Sequence, residues 1–212
     1  MATTARTSAP PISFRDRMLL AREEAIMSAV NQLLAEKGYE AMTVDAVAAL
    51  AGIAKASLYK HYPSKEDLAV AALNELLGQC LQFVQELDGQ LNPVERLREV
   101  VRWALRLNLA GRMPSLPSSN GPLREALMNN KVYLDRLMTL SDTMGGWIET
   151  AQASRHIDPA LPAVAVLYTL FARACDPVPQ FLQATGTYSE ADIVALVERL
   201  CFDGLKPLRA TK

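Results

Sequence analysis

The chain has few of the residues that build metal sites and disulfide frameworks. Its 212 residues include two histidines and three cysteines. Cys80, Cys175 and Cys201 are odd in number and far apart, without a C-x-x-C pair or paired histidines nearby. Neither a disulfide framework nor a zinc site is therefore expected. Buried structural thiols are the favoured interpretation, and a redox-sensing role is the alternative.

Long apolar runs are also absent. No stretch approaches the roughly 18 apolar residues that a membrane-spanning helix needs, and residues 1–14 lack the hydrophobic segment of a signal peptide. Half of the composition is nonetheless hydrophobic, which is ample for a buried core. We therefore expect a globular cytoplasmic protein with no membrane partner.

Catalytic signatures are missing as well. The sequence contains no H-E-x-x-H pair, no nucleophile elbow and no glycine-rich phosphate-binding run. His156 lies beside Asp158 in a predicted loop, and His61 belongs to the basic segment described next. The sequence predicts no enzyme, no bound cofactor and no metal.

The segment Thr43–Lys65 has the most specific pattern in the chain. Apolar residues recur at i, i+3, i+4 and i+7 from Val44, which predicts a short helix packed on a core. Gly52 follows, where a sharp turn needs a positive φ, and Leu58 and Tyr62 give a second short helix its buried side. The outer face of that helix is polar and basic, as a helix-turn-helix requires to reach base edges in the major groove. Alone, the pattern fits a solvated helical hairpin equally well.

The flanks of this segment extend the match. In order, the sequence reads E-K-G-Y at 36–39, T-V at 43–44, A-G at 51–52, L-Y-K-H-Y at 58–62 and S-K-E-D-L at 64–68. These elements closely resemble the DNA-binding domain of the TetR family of bacterial regulators. About a fifth of the chain carries the resemblance, and the remainder matches the family in layout only. Ala54 departs from the pattern, because a capping serine is frequent there.

The resemblance implies that the partner is a double-stranded DNA operator. Phosphate contacts, which position the domain without reading bases, are implied for Thr43, Tyr59, His61 and Lys65. Side chains suited to base edges are those of Lys55, Ala56, Ser57 and Lys60. Charge gives mild support, since residues 1–65 hold eight Lys or Arg against six Asp or Glu, a net +2, and residues 66–212 hold fourteen against seventeen, a net −3.

Helical periodicity continues through the chain and predicts an all-α fold. The first helix is expected from about Arg15 to Lys37, with Leu19, Ile26 and Val30 on its inner face. Capping residues and prolines predict later helix starts at Ser64, Asn92, Pro122, Asp158 and Ser189. The predicted organisation is a disordered arm at residues 1–14, a three-helix helix-turn-helix DNA-binding domain at 15–65, and a ligand-binding and dimerisation domain of about six helices at 66–212.

In TetR relatives the second domain binds an effector and forms a homodimer through its last two long helices. The apolar pattern of these helices alone fits intramolecular packing equally well. Pocket candidates are the aromatic residues and methionines on helices expected around a central cavity, for each of which plain core packing is the alternative. They are Trp103, Met113, Tyr133, Met138, Met144, Trp147 and Phe171.

These features together predict a ligand-responsive transcriptional repressor. It would bind a palindromic operator as a homodimer and be released by a small hydrophobic or amphipathic effector. The alternative is a helix-turn-helix adaptor or activator that acts through protein contacts without a small-molecule ligand.

Overall fold

A computed structural model describes residues 13–114 and 121–203. Within these ranges the chain forms ten α-helices, one short 3-10 helix at Arg173–Cys175 and no strand, which confirms the all-α prediction. The predicted arm at residues 1–14 lies outside the described residues except for Ser13 and Phe14. The α-helices are α1 Phe14–Ala41, α2 Val44–Leu50, α3 Lys55–Tyr59, α4 Lys65–Glu86, α5 Pro93–Leu109, α6 Pro122–Met128, α7 Lys131–Ala153, α8 Ala163–Ala172, α9 Val178–Ala184 and α10 Glu190–Asp203.

Helix α1 starts earlier and ends later than the sequence predicted. Ser13 caps its first turn, and Gly38 interrupts the helix near its end with a φ of 73°. Ile26 and Val30 are buried as predicted, but the inward prediction for Leu19 is wrong, because this side chain is 51% exposed. The residues from Ser13 to Ala21 are all exposed, so the first turns of α1 extend beyond the core.

Two hydrophobic cores divide the described residues. The first combines α1, α2 and α3 with the first half of α4, as far as Leu73, and also takes in Leu123 and Leu127 of α6. The second combines Cys80 and Val84 of α4 with α5, α7, α8 and α10. Helix α4 therefore belongs to both cores. The first core extends past the predicted domain boundary at residue 65.

Helix starts in the second half follow their capping side chains. The Oδ1 atom of Asn92 accepts the backbone N–H group of Glu95, so α5 begins as expected. The Oδ1 atom of Asn130 accepts that of Tyr133 and caps α7 in the same way. Ser189 likewise caps α10, accepting from the N–H of Asp192 at 3.2 Å.

The predicted helix start at Asp158 is wrong. There the chain forms a turn, in which Asp158 Oδ1 accepts the N–H of Ala160 at 2.9 Å, and α8 begins only after Pro162. The amide of Gln152 donates to the carbonyls of Asp158 and Leu161. These carbonyls are therefore satisfied by α7 and need no helical turn.

A buried carboxylate joins α10 to α5. Glu198 accepts hydrogen bonds from Arg102 Nε at 2.6 Å and Arg102 Nη2 at 2.9 Å, and a further one from Arg98. Burial alone would raise the pKa of Glu198, but the hydrogen bonds from Arg102 and Arg98 outweigh it and lower the pKa below its ordinary value. The cluster fixes the relative position of the two helices.

The three thiols are part of this helical packing. Cys80, Cys175 and Cys201 form no disulfide, and burial raises the pKa of Cys80 to about 12. Its thiol is thus protonated near neutral pH and chemically quiet. No helix in the described ranges is both long and apolar enough to cross a membrane.

Candidate nucleic-acid interface

A short turn places α3, the recognition helix, against α2. Thr43 caps α2 by accepting the N–H of Ala46 at 3.1 Å. Gly52 adopts the positive φ expected of it, 67°, and the N–H of Ile53 then returns to the carbonyl of Ala48 at 3.0 Å. Leu58 is fully buried and anchors α3 to the first core. This is the helix-turn-helix geometry that the sequence predicted.

The outer surface of the recognition helix carries the residues predicted to touch DNA. Lys55 and Ala56 are exposed in its first turn, and Tyr59, Lys60 and His61 are exposed at its end. Ser57 is half-buried. A single face thus presents two amines, an imidazole and a phenol to solvent, which suits contact with phosphates and base edges.

Lys55 is paired with a residue of α2 that the sequence reasoning missed. Its Nζ lies 2.6 Å from Asp45 Oδ1 and 5.8 Å from the centre of the Tyr59 ring. The hydrogen bond with Asp45 raises the pKa of Lys55. Ten residues separate the two partners, so only the turn between α2 and α3 brings them together.

Ser57 is held by a second residue that the sequence did not single out. Arg22 of α1 donates a hydrogen bond from Nη2 to Ser57 Oγ, while its buried Nε has no hydrogen-bond partner. Arg22 lines an open cleft of about 820 Å³, with Met18 and Ile53 among the other lining residues. The exposed start of α1 therefore lies beside the recognition helix.

Lys65 lies at the start of α4, where helix geometry favours anions. Ser64 caps the helix, and its own N–H donates to Asp67. The Lys65 amine donates to the carbonyl of Glu40 at 3.0 Å and lies 4.2 Å from the centre of the Tyr39 ring. These contacts hold the amine near the end of α1, close to the predicted phosphate position.

Tyr39 is fixed in turn by the next residue of α4. Its hydroxyl bonds to Glu66 Oε1, and burial, followed by this hydrogen bond, raises the pKa of Tyr39. The same bond lowers the pKa of Glu66. The ring beneath Lys65 is thus held by a carboxylate on the helix that carries the lysine.

The comparison with known proteins agrees with this geometry. The family described as bacterial regulatory proteins, tetR family, matches residues 26–72, which span the helix-turn-helix and the start of α4. Residues 26–72 are a TetR-family DNA-binding region. The resemblance carried by the sequence motifs is confirmed.

Relatives match this chain over most of its length. The transcriptional regulator RutR of Escherichia coli K12 is 24% identical over 91% of this chain and 94% of its own. FadR of Bacillus subtilis, solved with stearoyl-CoA, has a TM-score of 0.61 at 22% identity, covering 86% and 97% of the two chains. AibR, solved with isovaleryl coenzyme A and operator DNA, has a TM-score of 0.59 at 20% identity, covering 85% and 98%. The chain is a helix-turn-helix transcriptional regulator, and the two structures share its fold.

The predicted pocket residues do not all pack in the same core. Trp103, Met144, Trp147 and Phe171 belong to or pack against the second core. The Trp103 ring stacks on Phe83 with centroids 5.7 Å apart.

The other three lie elsewhere. Tyr133 packs against the first core, Met113 is buried in the segment after α5, and Met138 is 62% exposed. Met138 is thus open to solvent, whereas Met144 of the same helix is buried. Effector contact by the predicted pocket residues stays a prediction.

The second domain also buries a polar side chain that the sequence reasoning passed over. Asn108 of α5 donates to the carbonyls of Ala174 and Asp176, which ties α5 to the segment between α8 and α9. Its Oδ1 is buried and has no hydrogen-bond partner within the part of the chain that the structure describes. Within residues 13–114 and 121–203, no three His, Cys, Asp or Glu side chains are grouped so that they could hold a metal ion.

Proposed function

We propose that this protein represses transcription as a homodimer that binds a palindromic operator and is released by a small hydrophobic or amphipathic effector. One observation carries the proposal, namely the exposed basic face of a recognition helix whose other side, at Leu58, is fully buried. The segment from 52 to 65 contains Lys55, Lys60 and Lys65 and no acidic residue, which suits a surface that approaches phosphates. Because its target is chromosomal DNA, we place this activity in the cytoplasm.

Dimerisation is supported by an apolar stripe on α8 and α10. Val164 and Tyr168 of α8, and Leu196 and Leu200 of α10, are exposed large side chains at one-turn spacings. A second copy of the chain packed on this stripe would remove it from water. Two-fold symmetry then requires two recognition helices in successive major grooves, about 34 to 36 Å apart, and a palindromic operator.

Coupling between effector and DNA is supported by α4. Its first half, with Leu68, packs in the first core, and its second half, with Cys80 and Val84, packs in the second. An effector that separates helices of the second core would therefore tilt α4 and change the distance between the two recognition helices. Binding then shifts the population toward a dimer that no longer fits its operator.

The first effectors to test are acyl-CoA thioesters. AibR and FadR have been solved with isovaleryl coenzyme A and stearoyl-CoA, and both have the fold of this chain. Here Trp103, Trp147 and Phe171 lie half-buried against the second core, where an acyl chain would find apolar surface.

The proposal is tested by selecting an operator from a pool of randomised duplexes with the purified full-length protein. We expect a palindromic sequence that binds two or four subunits, with affinity falling steeply as salt rises. Acyl-CoA thioesters of increasing chain length should then lower operator affinity, while free coenzyme A, which lacks the acyl chain, serves as the control. Failure to enrich any sequence, with no duplex bound at any salt concentration, would refute the proposed function.

A further inference from the structure

The pair formed by Asp45 and Lys55 lies on the surface that the proposed function assigns to DNA. Asp45 is in the first turn of α2, and Lys55 is the first residue of the recognition helix. Their charged atoms are 2.6 Å apart, yet the side chains are 67% and 51% exposed. A carboxylate that is open to solvent therefore lies beside the amine best placed to enter the major groove.

This carboxylate changes how Lys55 meets the two kinds of DNA target. An unpaired surface lysine is attracted to any phosphate, and such contacts supply most of the binding to random DNA. A negative charge 2.6 Å away largely cancels that long-range attraction. An ammonium group has three N–H donors, so one can bond to Asp45 while the others remain for a base acceptor. Lys55 can therefore still hydrogen-bond to a base at short range, although its long-range attraction to phosphates is largely cancelled.

The geometry also restricts where the Lys55 amine can go. Asp45 holds it from the side of α2, and the Tyr59 ring lies 5.8 Å away along the recognition helix. Asp45 itself is favourably placed without the lysine, because a negative charge in the first turn of a helix interacts well with the helix dipole. The carboxylate is thus a stable fixture of this surface.

We propose that Asp45 is a specificity-determining residue, which positions Lys55 for a base edge and keeps it from binding phosphate on random DNA. The inference rests on the proposed function, since it assumes that the recognition helix binds DNA. The proposal gives an acidic side chain a role in DNA binding. Its charge is opposite to that of a side chain that binds phosphate.

The test compares wild type with Asp45→Asn on the selected operator and on a random duplex of equal length, across a salt series. Lys55 should gain a phosphate contact in the variant. Affinity for random DNA should rise about two- to fivefold, and the salt slope on random DNA should steepen by about 0.9. Operator affinity should rise less, so the ratio of the two affinities falls.

Three further variants separate this role from a general effect of charge. Glu36→Gln removes one exposed negative charge from the same domain, and its carboxylate bonds to Gln32 of its own helix, so both DNAs should respond equally. In a Lys55→Ala background, Asp45→Asn should raise the affinity for random DNA no more than Glu36→Gln does, because the amine it releases is gone. Asp45→Glu should restore the wild-type ratio.

The outcomes also distinguish the inference from the proposed function. An operator that is selected normally, but bound by Asp45→Asn with the wild-type ratio and salt slope, overturns the role of Asp45 alone. The role of Asp45 is also overturned if Asp45→Asn raises the affinity for random DNA equally with and without Lys55. A wild-type protein that binds no duplex overturns the proposed function and this inference with it. Thermal unfolding of each variant confirms that the exposed substitutions leave the fold intact.

Discussion

Paired charges occur in two regions of this protein under opposite conditions. Asp45 and Lys55 meet at the surface, where both are more than half exposed. Glu198, whose side chain is only 9% exposed, meets Arg98 and Arg102 between two helices of the second domain. Water or DNA can replace either partner of the surface pair, whereas loss of one partner from the inner cluster removes hydrogen bonds that water replaces poorly. Similar residues thus provide an exchangeable contact in one place and a fixed one in the other.

The largest effect should come from breaking the inner cluster. Glu198→Ala removes the hydrogen bonds that join α10 to α5 and leaves Arg98 and Arg102 paired with Glu95 and Glu99 of their own helix. We expect the free energy of unfolding to fall by about 1.5 to 3 kcal/mol. Urea unfolding followed by circular dichroism measures this change. Arg199→Ala is the matched control on α10, because Arg199 is strongly exposed, and it should cost less than about 0.5 kcal/mol. Equal losses for both variants would contradict the contrast between the two regions.

Breaking the surface pair should affect DNA binding and leave stability alone. Lys55→Ala removes the amine that Asp45 positions, so we expect about a tenfold loss of affinity for the operator, the typical effect of one base contact. Affinity for random DNA should change much less, and the urea midpoint should not move. Fluorescence anisotropy on both duplexes gives the two affinities. Parallel losses on operator and random DNA would show that Lys55 binds phosphate.

Lys65 sharpens the comparison, because among the described residues its amine contacts a carbonyl and an aromatic ring rather than a carboxylate. Its amine is held by the Glu40 carbonyl and the Tyr39 ring, which leaves its positive charge available to phosphate. Lys65→Ala should weaken operator and random DNA equally, about two- to fivefold, and reduce the salt slope by about 0.9. Lys131→Ala, which removes an exposed lysine of α7, is the control. It should change neither the two affinities nor the salt slope.

The smallest expected effect is the change in unfolding free energy at low pH. Because the pKa of Glu198 is lower in the folded chain than its ordinary value of 4.5, its contribution to stability is complete above about pH 4.5 and is lost as the pH falls through the folded value. Glu198→Gln cannot lose a charge in this way. The difference in unfolding free energy between wild type and this variant should therefore narrow below pH 4.5, and a constant difference would contradict the assignment.

Local features of this fold could be predicted from the sequence. Gly52 predicted the turn, Thr43 and Ser64 are the caps of α2 and α4, and α6 begins at Pro122 as expected. Each of these depends on residues within about four positions of one another. Capping and turn chemistry act over that range.

Long-range contacts could not be predicted in the same way. Arg22 reaches Ser57 across 35 residues, and Glu198 reaches Arg102 across 96, so no sequence spacing reveals either pair. Tyr133 is a pocket candidate that packs against the first core, apart from most of the other candidates. Its helical periodicity identified a buried face without indicating which neighbours cover it.

Two leucines of α6 determine how the DNA-binding region could be separated from the remainder. Leu123 and Leu127 are almost fully buried in the first core, although some fifty residues separate them from the end of the family match at residue 72. A fragment cut at residue 72 would expose the apolar surface that these leucines cover. In a chimera with another regulator, the DNA-binding region would therefore have to be transplanted together with α6. The two parts of this protein are thus not interchangeable modules.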